Sequence, residues 1–176
     1  RKIRIVNDFH CINYCFNFKS NTTIPEDSLP LALNSHLPDT ISVKSAKITH
    51  DDFHSGFSAI KKIYTYKILN SRIRNPFMRE YSWFFPAALD IERMREAASY
   101  IVGEHDFKAF MAQGGNVKTT VRTVYFIDIK KEDDIITIDV CGNGFLYNMV
   151  RIIAGTLVAA GVGRISPYDI VGIIES

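Results

Sequence analysis

Thr120-Val-Arg-Thr-Val-Tyr-Phe-Ile-Asp-Ile-Lys130 and Ile135-Ile-Thr-Ile-Asp-Val-Cys141 flank four charged residues, Lys131-Glu-Asp-Asp134. Both runs are rich in β-branched and aromatic side chains, which suit a pleated, half-buried surface. They read as two strands of a hairpin with a charged turn. Upstream, Ile91, Met94, Ala97, Ala98 and Ile101 recur at helical spacing. That spacing predicts a helix over 90–102, capped by Asp90, with Arg93 and Glu96 on its exposed side and Gly103 as its stop. Downstream, 145–160 reads as a second long helix, and Ser166-Pro167 opens a last one from Tyr168 to about Ile174. A hairpin among helices predicts an α+β fold, a mixed, largely antiparallel sheet with packed helices.

The remainder fits that layout. Tyr14 to Phe18 and Ile41 to Ile48 alternate and predict strands. Between them, Thr23-Ile-Pro-Glu26 predicts the start of a helix running to about Ser35, which Pro30 distorts if it lies beyond the first turn. A further strand is expected within 59–69, with Ile60, Lys62, Tyr64, Tyr66 and Ile68 on one face. An Arg- and Asn-rich loop covers 70–76, and Tyr81 to Phe85 is extended. Asp106 to Phe110 reads as a short helical turn, followed by a polar loop over 113–119.

The 176 residues suffice for one domain with a real core. With 47% hydrophobic and 23% charged residues, the composition excludes a disordered chain. No apolar run is long enough for a membrane helix, and no secretory leader is expected from Arg1-Lys-Ile-Arg-Ile5. A net charge of +2 leaves any nucleic-acid surface to local clusters of Lys and Arg. Three cysteines, Cys11, Cys15 and Cys141, argue against a disulfide framework. His10, Cys11 and Cys15 lie close together, but no second ligand pair follows, so no metal site is expected.

Four stretches carry a resemblance. They are Leu33-Asn-Ser-His-Leu-Pro-Asp39; Asp52-Phe-His-Ser-Gly-Phe-Ser-Ala59 with Lys62-Ile-Tyr-Thr-Tyr66; Gly103-Glu-His-Asp-Phe-Lys-Ala-Phe110 with Thr119-Thr-Val-Arg122; and Gly144-Phe-Leu-Tyr-Asn-Met-Val-Arg151. In this order they resemble the tRNA pseudouridine synthases of the A type. The resemblance implies isomerisation of uridine to pseudouridine in tRNA, without a cofactor, by a cytoplasmic enzyme that is a homodimer when intact. The chemistry needs an ionised carboxylate in a closed pocket, a flat platform for an extruded base, and cations for phosphate.

Residue by residue, Tyr64 resembles the tyrosine that stacks on the base, and Arg151 the arginine that pairs with the nucleophilic aspartate. Arg4, His54, Lys61 and Lys62 are the implied RNA contacts. Each also has a plainer reading: Tyr64 as a core aromatic, the lysine pair as a solvated strand end, His54 as a structural residue. His105 and Asp106 read as turn residues. The resemblance fails at one position. A match through His10 and Phe18 puts Val6 where the family keeps its aspartate; Asp8 becomes the nucleophile only if the register shifts. Gly56 stands where the family keeps arginine. By this likeness, 1–22 is a remnant of a preceding half-domain with the nucleophile loop, and 23–176 a catalytic domain without its C-terminal strand. A catalytically silent tRNA-binding remnant and an interaction domain without an RNA role are the alternatives.

Overall fold

The structure, a computed structural model, describes residues 14–115 and 117–176. Arg4, Val6, Asp8, His10 and Cys11 lie outside the described residues. The chain divides after Ala59 into two compact units.

In the first unit a 3-10 turn, Glu26–Ser28, leads into helix α1, Leu29–Asn34. Pro30 falls in the first turn of α1, where its missing N–H costs nothing, so it does not kink the helix. The strands expected at 14–18 and 41–48 do not form. Two asparagine side chains take up backbone groups there instead. Asn34 accepts the Val43 N–H at 2.7 Å and donates to the Val43 carbonyl at 3.0 Å. Asn17 does the same between Ser55 N–H (2.9 Å) and Phe53 carbonyl (3.2 Å). A primary amide has the donor and acceptor of a peptide, so it fixes one point of an extended chain without a ladder.

The second unit is a five-stranded sheet with helices packed on it. Its strands are β1 (Lys62–Leu69), β2 (Trp83–Phe84), β3 (Gly103–Asp106), β4 (Val121–Glu132) and β5 (Ile135–Gly142), in the order β2-β1-β5-β4-β3. Only β1 and β2 are parallel; the other pairs are antiparallel. This is the expected mixed, largely antiparallel sheet. The hairpin is tighter than expected: its strands extend to Glu132 and Ile135, and Asp133 at φ 51° makes the turn. The strand β3 was not expected. Its residues Gly-Glu-His-Asp carry no apolar signal, and pairing with β4 alone defines it.

Helix α2 (Ile91–Ile101) is capped as expected, the Asp90 carboxylate accepting from the N–H groups of Glu92 and Arg93. Arg93 is not on the exposed side. It donates to the carbonyls of Ala160 and Ile165 at 3.1 and 3.2 Å. Helix α3 is Met149–Gly161, four residues shorter at its start than the pattern suggests. Asn148 at φ 58° turns the chain there, a conformation Asn tolerates better than most residues. Helix α4, Asp169–Ile174, follows Ser166, whose N–H bonds the Asp169 carboxylate at 2.7 Å.

The core lies between the sheet and these helices. Ile68, Ile136, Ile138, Val140 and Ile129 come from the strands, and Met94, Ala97, Ile101, Ile153, Ala154 and Leu157 from the helices. Among the described residues no helix is long and apolar enough to cross a membrane, and no group of metal-ligating side chains forms. Cys15 is exposed and Cys141 buried, both as free thiols.

Candidate active site

Strand β1 sets the site. Its pleat puts Lys62, Tyr64, Tyr66 and Ile68 on the face that carries the helices, and Ile63, Thr65 and Lys67 on the other. The helix-side residues are half-buried or buried, and their neighbours up to Lys67 are exposed. The Thr65 hydroxyl on that second face bonds the Asp139 carboxylate of β5. Tyr64 packs against the core, yet it is not closed off.

The segment before α3 brings the second group. Gly142 ends β5, and a Cβ there would lie 2.9 Å from the Thr123 carbonyl oxygen and 3.3 Å from the Phe145 ring. Only glycine lets the chain pass so close. Asn143 holds the exit, accepting from the Thr123 N–H at 3.0 Å while its own N–H donates to the Thr123 carbonyl at 3.0 Å. Phe145 then stands edge-on to Tyr64, with centroids 5.0 Å apart and ring planes at 76°. Six residues on, Arg151 sits in the first turn of α3.

Arg151 is exposed, and among the described residues no carboxylate lies within ion-pair distance of it. The penalty of a buried, unpartnered cation therefore does not arise. Its charge does reach the face of β1. Burial pushes the Tyr66 hydroxyl above its ordinary value of 10.0, and the Arg151 guanidinium draws it part of the way back. Tyr66 also meets Trp83 edge-on at 6.4 Å, and Trp83 meets Phe85 at 5.3 Å. Tyr64, Tyr66 and Phe145 thus share one face, and the charge of Arg151 reaches it. Tyr66 and Phe145 were not singled out from the sequence, although strand alternation and the fourth motif contain them.

Lys61 is exposed just before β1, and Lys62, half-buried, is its first residue. His54, in the first unit, is exposed and organises its own turn. Its Nδ1 accepts the N–H groups of Gly56 and Phe57 at 3.1 and 3.3 Å, and its ring lies 4.3 Å from that of Phe57. Gly56 fits beside that ring: an added Cβ would come within 3.3 Å of it. His105 and Asp106 lie in β3 rather than in a turn, and the helical turn expected from Asp106 begins only at Lys108. His105 reaches the Val102 carbonyl at 3.3 Å, and Asp106 accepts the Lys108 N–H at 3.1 Å.

Such a face, tyrosines on a strand beside an arginine that opens a helix, joins aromatic surface to fixed positive charge. Residues 97–176 match the sequence model of a family described as tRNA pseudouridine synthase. A tRNA pseudouridine synthase A of Thermoanaerobacter sp. (strain X514) is 49% identical over 167 residues, covering 95% of this chain and 68% of that protein. The tRNA pseudouridine synthase A 2 of Clostridium tetani is 47% identical over 95% of this chain and 67% of its own length. The Bacillus subtilis tRNA pseudouridine synthase A is 42% identical over 95% and 68%. The chain belongs to the tRNA pseudouridine synthase A family of isomerases.

Proposed function

We propose that this chain binds tRNA and takes an extruded uridine against Tyr64, at the site where its family forms pseudouridine. The observation that carries the reading is the shared face of Tyr64, Tyr66, Phe145 and the charge of Arg151. An extruded base needs a flat apolar platform, and Tyr64 offers one whose tilt Phe145 restrains. Arg151, exposed, is free to meet a carboxylate or a phosphate. Lys61 and Lys62 at the head of β1 suit the strand's phosphates, and Arg4 and His54 are further contacts on the family likeness. A cytoplasmic homodimer belongs to the same reading.

The reaction itself depends on a carboxylate. Val6 occupies the position that matches the family aspartate, and a valine can neither attack carbon nor pair with Arg151. Loss of a covalent nucleophile typically costs several orders of magnitude in rate. The chain as written is therefore a tRNA-binding domain with little synthase activity. The test is pseudouridine formation on unmodified tRNA by this chain, by Val6→Asp and by Asp8→Asn. Gain with Val6→Asp supports the reading. Activity of the parent that Asp8→Asn abolishes makes Asp8 the nucleophile. Robust activity that survives Asp8→Asn overturns the need for a carboxylate in this segment.

A further inference from the structure

The loop from Asn70 to Ser82 stands beside the sheet edge formed by β2, and the site above makes no use of it. It carries Arg72, Arg74 and Arg79, all exposed, against one acid, Glu80. Its centre is a 3-10 turn, Pro76–Met78, capped by the Asn75 side chain, which accepts the Phe77 N–H at 3.0 Å. The Ser82 hydroxyl closes it by donating to the Met78 carbonyl at 3.0 Å. Phe77 is thus fixed at the tip of a tied turn, yet it is 89% exposed. Arg74 lies 4.3 Å over the Phe84 ring, which holds its guanidinium near the surface. A groove of about 390 Å³ runs between Arg74, Arg79, Trp83 and Phe84.

We infer that this loop is a second RNA contact, gripping a single-stranded stretch of the substrate along the sheet edge. The inference rests on the proposed function. Charge selects the occupant: three arginines interleaved with bare aromatic rings suit a polyanion whose bases can stack. The exposed Arg79–Glu80 pair, 3.2 Å apart, is weak enough to open for a phosphate. The neighbouring groove, lined by Glu132, Asp133 and Asp134, repels the same ligand and so bounds the track on one side. Direction comes from the rings. Tyr66 meets Trp83 on the helix face, whereas Phe84, in register with Leu69, lies on the face of Lys67, so the loop and its groove follow the sheet edge. An apolar protein partner would leave the three arginines without matching charge.

Trp83 lines the groove and is the chain's single tryptophan, so its fluorescence reports occupancy directly. The experiment titrates the full chain with a short oligouridylate and with unmodified tRNA, recording Trp83 emission beside an independent binding measurement. The variants are Phe77→Ala and the triple change Arg72→Gln, Arg74→Gln, Arg79→Gln, each checked for an unchanged thermal transition. Binding by the parent should shift Trp83 emission. Phe77→Ala should weaken oligouridylate binding by at least about fivefold, the loss of one stacked base. The triple variant should lower the salt slope of log K by about 2, three single-strand phosphate contacts. If tRNA binds, but Trp83 is silent and all variants bind like the parent, the loop assignment is overturned while the proposed function stands. If the parent binds no RNA, both fall. If the triple variant melts early, the Phe77→Ala affinity and Trp83 response decide.

Discussion

Tyr66 shows how one side chain joins packing to charge. Its ring is held by Trp83, and its hydroxyl is kept protonated by burial against the opposing pull of Arg151. A raised tyrosine value means that, near and above pH 10, the folded state holds a proton that the unfolded chain has lost. The unfolded state then binds fewer protons, so stability falls as pH rises. The contribution is complete below the ordinary value of 10.0 and is lost through the folded value. Tyr66→Phe removes the ionisation. The melting temperature of the variant relative to the parent should rise between about pH 8 and about pH 11. A difference that stays constant across that range would show that Tyr66 does not sense its burial. The face of this residue was legible, because alternation over 62–68 puts it with Tyr64. Its tie to Arg151 was not, since that depends on α3 packing on β1 and no spacing encodes it.

Among elements, legibility followed locality. The β4–β5 hairpin and α2 declare themselves because partner strand, turn and cap lie within a few residues. The expected strands at 14–18 and 41–48 have the same alternation, but a strand is completed by a ladder partner, and alternation says nothing of where that partner lies. Asn17 and Asn34 answer the backbone locally instead. Strand β3 is the converse, polar in sequence and defined by its pairing with β4. α2 offers the direct test. Asp90 accepts two backbone N–H groups at 3.0 and 3.1 Å, and the helix it starts buries Met94, Ala97, Ala98 and Ile101. Asp90→Ala should cost about 1 kcal/mol, read as a lower denaturation midpoint with an unchanged slope. No loss would mean that the Arg93 bonds to Ala160 and Ile165 hold the helix start unaided.

At the scale of the whole molecule, the class of fold was legible and the strand order was not. Nothing in Trp83-Phe84 announces a parallel partner for β1, because two residues give no period. Charge behaves similarly. A net +2 over 176 residues gives no strong attraction to RNA, so any binding must come from clusters. In the second unit these include Lys61 and Lys62 at the head of β1, and the three arginines of the 70–82 loop. The hairpin tip at Glu132, Asp133 and Asp134 works against them. A small number of phosphate contacts with little long-range field predicts tRNA binding that is weak to moderate and strongly salt-dependent. Each contact contributes about −0.7 to −0.9 to the slope of log K against log salt. Five contacts give a slope of about −4, and a fourfold rise in salt then lowers affinity by roughly two orders of magnitude. Retention of folded tRNA measured across a salt series should fall steeply along that line. Retention that is equal at low and high salt would mean that apolar contact, and not these two cation clusters, holds the RNA.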